Sequence, residues 1–132
     1  LTRVMNSFMD RIFNFTGVKH ANIIHQSIQY LNANYARHIT LDEMAQRVYL
    51  SPAYFSRVFK QETGCTFSAY LNRVRIERSK ALLLHRSIRL TDIALLVGFE
   101  DQSYFTKVFK KVTGMTPLQF RETKGGGLKA RP

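Results

Sequence analysis

The chain has 132 residues and a formal net charge of +11 at pH 7, from twenty Lys and Arg against nine Asp and Glu. Its 45% hydrophobic residues, ten Phe among them, can build a core, yet no stretch approaches the about 20 apolar residues of a transmembrane helix. The length fits one domain or two very small ones. A balance this basic favours a polyanionic partner, although a basic surface also serves solubility alone.

The single cysteine, Cys65, rules out an internal disulfide and fits a reducing compartment, so we expect a cytoplasmic protein. The four histidines lack a spacing that would build a metal site with it, and we predict no metal and no cofactor. No secretory signal is apparent. Because the chain begins at Leu1 and not at Met, we expect it to be part of a longer protein.

Residues 1–19 are predicted to form an interdomain or linker helix, because their apolar side chains fall in two rows at i, i+4 spacing. The apolar face is too large to remain in water, so it should dock on the following domain or on a neighbouring one. A dimerisation helix is the alternative, although two heptads are short for a coiled coil. The rows are Val4, Phe8, Ile12 and Met5, Met9, Phe13.

Two helices are predicted between residues 21 and 48. Residues 21–35 carry apolar side chains at helical spacing on one face. Thr40 and Glu43 then fit the N-cap and N3 positions of a capping box, which begins a short amphipathic helix. Ala45 lies in that helix where a neighbouring helix can approach closely. Only two residues, Tyr49 and Leu50, separate this short helix from Ser51 at the start of the next helix, so the chain must turn sharply.

The stretch from Ser51 to Gly64 recurs from Asp101 to Gly114, with Tyr, Phe, Val, Phe, Lys, Thr and Gly at matching places. Ser51 and Asp101 suit the N-cap of a helix, and the two glycines suit its left-handed C-terminal position. The Phe and Val residues, with Val112 in the second copy, form an apolar stripe at helical spacing. A repeat near fifty residues indicates one supersecondary unit used twice.

The face opposite the apolar stripe is short-polar or cationic in both copies and nearly free of acids, which suits a helix in a DNA major groove. Before the second copy, Ala94 lies in another short amphipathic helix and Gly98 in a turn. Two short helices, a tight turn and a basic second helix describe a helix-turn-helix. We predict two such motifs, over residues 40–64 and 90–114.

A longer helix is predicted over residues 67–84, with a polar side that is almost wholly cationic. At about 1.5 Å per residue it would span about 27 Å, close to the about 34 Å of one duplex turn. It could therefore place two recognition helices in successive major grooves. Each half alone would have about fifty residues and be marginally stable, so this helix is expected to fuse them.

Residues 93–117 resemble the signature of the AraC/XylS transcription regulators, namely Ile-Ala, Gly-Phe, Ser-Tyr-Phe, Phe-Lys and Gly-x-Thr-Pro at the family's spacing. The resemblance covers roughly residues 21–122, and residues 75–83 are similar to the family's linker helix with Ser79 in place of the usual alanine. Tyr49 occupies a turn position that is often Gly or another small residue. Phe67 stands where the second copy has Pro117.

The resemblance implies an all-α, bipartite DNA-binding domain over residues 20–123, with about seven helices, and we expect a flexible basic tail over residues 124–132. It also implies promoter DNA and RNA polymerase as partners, with activation of bacterial transcription as the outcome. An effector, if there is one, would bind a domain absent from this chain.

Two sets of DNA contacts are predicted from the outward faces of the motifs and the linker helix. Base contacts are expected from Ala53, Ser56, Arg57, Gln102, Ser103, Thr106 and Lys107. Phosphate contacts are expected from Lys60, Arg73, Arg75, Lys110 and Lys111.

An enzyme and a protein-interaction module are the two other classes of function that the sequence could fit. DNA-repair alkyltransferases carry a similar DNA-binding module, but they need an activated cysteine, and Cys65 has no basic cluster or His partner nearby in sequence. We therefore expect no enzyme. The remaining alternative is a protein-interaction module that uses the N-terminal apolar helix and binds DNA only non-specifically.

Overall fold

The structure, a computed structural model, describes residues 19–126, with side chains up to Thr123. None of these residues lies in a strand, which confirms the predicted all-α class. The predicted helix over residues 1–19 and the predicted tail over residues 124–132 fall almost wholly outside this part of the chain. The elements are α1 (residues 19–34), α2 (Leu41–Arg47), α3 (Pro52–Thr63), α4 (Phe67–Leu83), α5 (Leu90–Leu96), α6 (Gln102–Thr113), α7 (Pro117–Phe120) and a π-helical turn over Arg121–Gly126.

The chain divides into two compact units. Among the described residues, the first unit contains residues 19–31 together with Thr40–Phe67. The second unit contains Asn32–Ile39 together with residues 68–126. Helix α4, predicted as a linker between the motifs, therefore packs within the second unit except for its first residue.

Helices α1 and α4 bury equivalent side chains at a spacing of 52 residues. In each helix a fully buried serine donates its hydroxyl to a backbone carbonyl of the preceding turn, Ser27 to Ile23 at 2.9 Å and Ser79 to Ile76 at 2.6 Å. Each unit therefore has one helix in front of its helix-turn-helix, α1 before α2–α3 and α4 before α5–α6. The equivalent buried pairs are Ile24 and Ile76, Ser27 and Ser79, and Leu31 and Leu83.

Helices α3 and α6 begin and end as their sequences predict. The Ser51 hydroxyl accepts a hydrogen bond from the Tyr54 amide at 3.2 Å, and the Asp101 carboxylate accepts one from the Tyr104 amide at 2.8 Å. Both helices end on a left-handed glycine, with φ of 83° in α3 and 86° in α6. These contacts cap both ends of each helix.

The apolar stripes of α3 and α6 form the cores of their units. Phe55 and Phe59 are fully buried with ring centroids 5.7 Å apart, and Phe105 and Phe109 repeat this arrangement at 5.7 Å. The prediction that Val112 continues the second stripe is wrong, because its side chain is 40% exposed. It lies in the last turn of α6 and lines a groove between α6 and α4.

The turn inside each helix-turn-helix has the same backbone hydrogen bonds. The Leu50 amide donates to the Ala45 carbonyl at 2.9 Å, and the Phe99 amide donates to the Ala94 carbonyl at 2.9 Å. This pattern is a Schellman motif, whose penultimate residue must be left-handed. Gly98 supplies that residue in the second unit with φ of 107°, and Tyr49 supplies it in the first with φ of 61°.

The C-terminal elements are tied to the loop that follows α4. Arg121 donates from Nε to the Leu83 carbonyl at 2.8 Å, and from Nη2 to the carbonyls of His85 at 3.1 Å and Ile88 at 2.7 Å. In front of Arg121, a complete capping box begins α7 at Thr116. One guanidinium thus donates to three carbonyls, of which that of His85 also accepts from the Ile88 amide at 3.1 Å.

Candidate nucleic-acid interface

The predicted contact residues of α3 share its outward face. Ala53, Arg57 and Lys60 are exposed, and Ser56 is half-buried beside them. The opposite face carries the buried Phe pair, so the phase of the helix is as predicted. Helix α3 thus presents two cations and two small side chains to solvent.

Tyr54 anchors this face, a role that the sequence analysis missed. Its hydroxyl lies 2.8 Å from Nε2 of His20 in α1, and the Arg57 guanidinium carbon lies 5.2 Å from its ring centroid. The hydroxyl group of Tyr54 thus contacts His20, and its ring makes a cation–π contact with Arg57. Tyr54 therefore links Arg57 on the outward face of α3 to His20 in α1.

The outward face of α6 repeats this pattern with a different set of side chains. Ser103, Lys107 and Lys110 are exposed, whereas Gln102 and Thr106 are half-buried. The Gln102 amide oxygen accepts a hydrogen bond from the Thr91 hydroxyl at 3.3 Å. That contact orients the amide while the carbonyl keeps a second lone pair for another donor.

Two of the predicted phosphate contacts, one in α6 and one in α4, lie away from the outward face of α6. Lys111 and Arg73 line a groove of about 590 Å³ between α6 and α4, next to Tyr104. The Tyr104 hydroxyl accepts a hydrogen bond from the Asn72 amide at 3.3 Å, in the place that His20 has relative to Tyr54. The structure therefore separates these two cations from Lys110.

Arg75, predicted to contact phosphate, is engaged within the protein. Its Nε donates to the Tyr35 carbonyl at 2.8 Å and its Nη2 to the Arg37 carbonyl at 3.0 Å. Its guanidinium carbon also lies 5.7 Å from the centroid of the Phe99 ring. Burial lowers the pKa of Arg75, and an electrostatic contribution from Tyr104 partly offsets this effect. The contacts indicate that Arg75 stabilises the second unit.

The interface cations are not neutralised by the acids of the described chain. Between residues 19 and 123, ion pairs join Lys80 to Glu77 at 3.0 Å and Arg89 to Asp92 at 3.2 Å, and neither pair includes a cation of the two outward faces. Their positive charge is therefore available to a polyanion.

Cys65 is half-buried, with its Sγ 3.7 Å from the Thr63 hydroxyl. Within the described part of the chain, no three His, Cys, Asp or Glu side chains converge as metal ligands. No helix among these residues has the length and hydropathy needed to span a membrane.

Comparison with known families gives a match over the region that contains both motifs. A family model described as a helix-turn-helix domain matches residues 44–123. The regulatory protein PocR of Salmonella typhimurium is 36% identical over 103 residues, which cover 78% of this chain and 34% of PocR. The bifunctional transcriptional activator and DNA repair enzyme AdaA of Bacillus subtilis is 35% identical over 94 residues, 71% of this chain and 44% of AdaA.

Solved structures show the same fold. The C-terminal domain of AraT, a response regulator from Geobacillus stearothermophilus, superposes with a TM-score of 0.73 at 36% identity, over 77% of this chain and 85% of that domain. The DNA-binding domain of AdpA in complex with a target DNA gives a TM-score of 0.74 at 18% identity, over 83% and 97% of the two chains. The AdpA likeness concerns the fold alone.

The chain spans less than half the length of PocR and AdaA, 34% and 44% respectively. The family signature over residues 93–117 falls on α5, the following turn, α6 and the start of α7. The chain therefore belongs to the AraC family of helix-turn-helix transcription regulators and carries the DNA-binding domain of that family.

Proposed function

We propose that this domain binds double-stranded DNA sequence-specifically, with α3 and α6 in successive major grooves. The observation that carries the proposal is the repeated geometry of the two helices. Each is capped at both ends, buries one Phe pair and presents an outward face without an acid. A helix of this kind fits the width of a major groove.

Base recognition is assigned to the residues on the two outward faces. Arg57 can donate two hydrogen bonds to guanine O6 and N7, and Gln102 can pair with adenine N6 and N7. Ala53 and the methyl group of Thr106 can contact a thymine methyl. The full proposed set is Ala53, Ser56, Arg57, Gln102, Ser103, Thr106 and Lys107.

Phosphate contacts are proposed to come from Lys60, Lys110, Lys111 and Arg73, which would set affinity and register. Arg75 is left out of this set because its guanidinium already donates to two backbone carbonyls. A guanidinium held in this way would have to break both bonds to reach a phosphate.

For the whole protein we propose activation of transcription in the bacterial cytoplasm, by contact with RNA polymerase. An effector would bind a part of the protein outside this chain. The names of relatives such as AdaA, a transcriptional activator, support activation. No enzymatic step is proposed for this chain.

The test is a salt titration of binding to a random-sequence duplex. If six or more phosphates are neutralised, log K should fall with log salt at a slope of about −5 or steeper. A slope shallower than about −2 would contradict the two-groove proposal and favour a protein-interaction module. Footprinting on the promoter next to the protein's own gene should then show two protected major grooves about one helical turn apart.

A further inference from the structure

A groove between α4 and α6 in the second unit is not accounted for by base reading. Its volume is about 590 Å³, and its walls carry cations from both helices. Its floor is apolar, because Val108 is buried there and Val112 is 40% exposed. At one end, Asn72 donates to the Tyr104 hydroxyl at 3.3 Å, which leaves the hydroxyl proton of Tyr104 able to donate to another acceptor.

The charge in the groove is positive beyond what its acid can neutralise. Glu77 pairs with Lys80 at 3.0 Å, so these two lining residues compensate each other. Arg73, Lys107 and Lys111 also line the groove, and among residues 19–123 no acid pairs with any of them. Three cations above an apolar floor attract an anion more strongly than the same charges on an open surface.

The side chains that line this groove are only partly repeated at the equivalent positions of the first unit. Helix α1 corresponds to α4 at a spacing of 52 residues, and α3 corresponds to α6 at a spacing of 50. By these spacings Lys107 has a cationic equivalent in Arg57, whereas Arg73 and Lys111 correspond to Ala21 and Gln61. Val112 corresponds to Glu62, so these positions repeat neither the charge of the groove nor its exposed apolar side chain.

We propose that one strand of the DNA backbone lies along this groove. A deoxyribose-phosphate strand alternates anionic oxygens with apolar sugar faces, which matches cationic walls over an apolar floor. Arg73 and Lys111 would contact phosphate oxygens, Val112 would contact a sugar, and the Tyr104 hydroxyl would donate to a phosphate. Lys107 lies on both the groove and the outward face of α6, so it would join backbone contact to base contact.

This inference rests on the proposed DNA binding and places the most backbone contacts in the second unit. The proposed ligand of the groove is DNA phosphate and not an acidic protein. In that arrangement the linker helix α4 is itself part of the DNA interface, through Arg73.

The experiment compares the double variant Arg73→Gln, Lys111→Gln with the wild type on a random-sequence duplex over a salt series. Loss of two phosphate contacts should reduce the salt slope by about two. The change in affinity between about 50 and 200 mM salt should then be about tenfold smaller. The matched control is Arg78→Gln, Arg86→Gln, which removes two exposed cations that do not line the groove.

The possible results distinguish a failure of the groove proposal from a failure of the proposed DNA binding. A slope reduced by about two in the groove variant, and by less than one in the control, supports the proposal. A steep wild-type slope that the groove variant retains overturns the groove proposal while DNA binding stands. Equal reductions in both variants also overturn it, because the effect would then be net charge alone. A wild-type slope shallower than about −2 means that the proposed DNA binding itself has failed. Thermal melts of all variants establish that each is folded.

Discussion

The two units share a framework and differ in their surfaces. Both bury a Phe pair in the second helix of the motif, end that helix on a left-handed glycine, and anchor a tyrosine hydroxyl to the helix in front, as His20 does for Tyr54 and Asn72 for Tyr104. Their outward faces carry different side chains, and the cationic groove described above lies in the second unit. A small set of core and cap residues therefore specifies the unit, and the remaining positions are free to diverge in what they contact.

The two motif turns likewise share a backbone geometry and differ in the side chain that they can hold. A Cβ at Gly98 would lie 2.7 Å from the Tyr35 carbonyl oxygen and 2.7 Å from Arg75 Nε, so the second turn admits no side chain. Tyr49 holds the equivalent left-handed position with a side chain that is 94% exposed. The first turn therefore carries conformational strain of about 1–2 kcal/mol that glycine would avoid.

The largest expected effect tests whether the two cores are equivalent. Phe59→Ala and Phe109→Ala should each lower the free energy of unfolding by about 3–5 kcal/mol, because both rings are fully buried. Chemical denaturation of each variant measures this. Leu118→Ala, at a side chain that is 52% exposed, is the control and should change stability by no more than about 0.5 kcal/mol. An unchanged melting temperature for Phe109→Ala would mean that the second unit is held together differently from the first.

The next prediction concerns a contact found in the second unit. Arg75→Ala should lower the free energy of unfolding by about 1.5–3 kcal/mol, since the carbonyls of Tyr35 and Arg37 lose a charged donor. The salt slope of DNA binding should stay as in the wild type. Arg78→Ala, an exposed cation on the same helix, serves as the control. A slope reduced by about one, with stability intact, would restore Arg75 to the phosphate contacts.

A third prediction separates base reading from backbone binding in the first unit. Arg57→Ala should weaken binding to the operator by about 1–3 kcal/mol and relax preference at one base position, because its fork can recognise one base pair. Lys60→Ala should weaken all sequences alike and reduce the salt slope by about one. Titrations on operator and on scrambled duplex, at several salt concentrations, measure both. If Arg57→Ala weakens the two duplexes equally, the first motif does not read sequence.

The last prediction concerns stability changes at the two left-handed turn residues, Tyr49 and Gly98. Tyr49→Gly should raise the free energy of unfolding by about 1 kcal/mol, because glycine removes the left-handed strain and the lost side chain is exposed. Gly98→Ala should have the opposite sign, since its Cβ meets a backbone carbonyl. Thermal melts of the two variants compare them directly. A destabilised Tyr49→Gly would show that the tyrosine ring makes a stabilising contact.

Much of the framework was predictable from the sequence because its signals are local. Ser51, Asp101 and the two C-terminal glycines are caps that depend only on their own helix, and all are confirmed. The phase of α3 and α6 follows from Phe and Val at helical spacing, which is also local. The assignment of bases and phosphates to individual side chains remains a prediction.

The rest depended on contacts between residues distant in sequence. Arg75 lies on the cationic side of α4, and only the fold brings it to the Tyr35 carbonyl 40 residues away. Val112 fits the apolar periodicity of α6 in the sequence, but its side chain lines a groove and is 40% exposed. The equivalence of α1 and α4 was hidden because its spacing is 52 residues whereas that of α3 and α6 is 50. The signal that could have found it is the pair of buried serines, Ser27 and Ser79.

The Arg121 guanidinium, which closes the carbonyls of Leu83, His85 and Ile88, also bears on where the folding unit ends. A chain truncated after residue 120 would keep α5 and α6 and every proposed DNA contact. It would nevertheless remove a donor from the carbonyl of Leu83 at the end of α4 and from those of His85 and Ile88 in the following loop, which would then open more readily to proteases. A minimal domain for binding experiments must therefore include Arg121, although no residue beyond α6 is proposed to contact DNA.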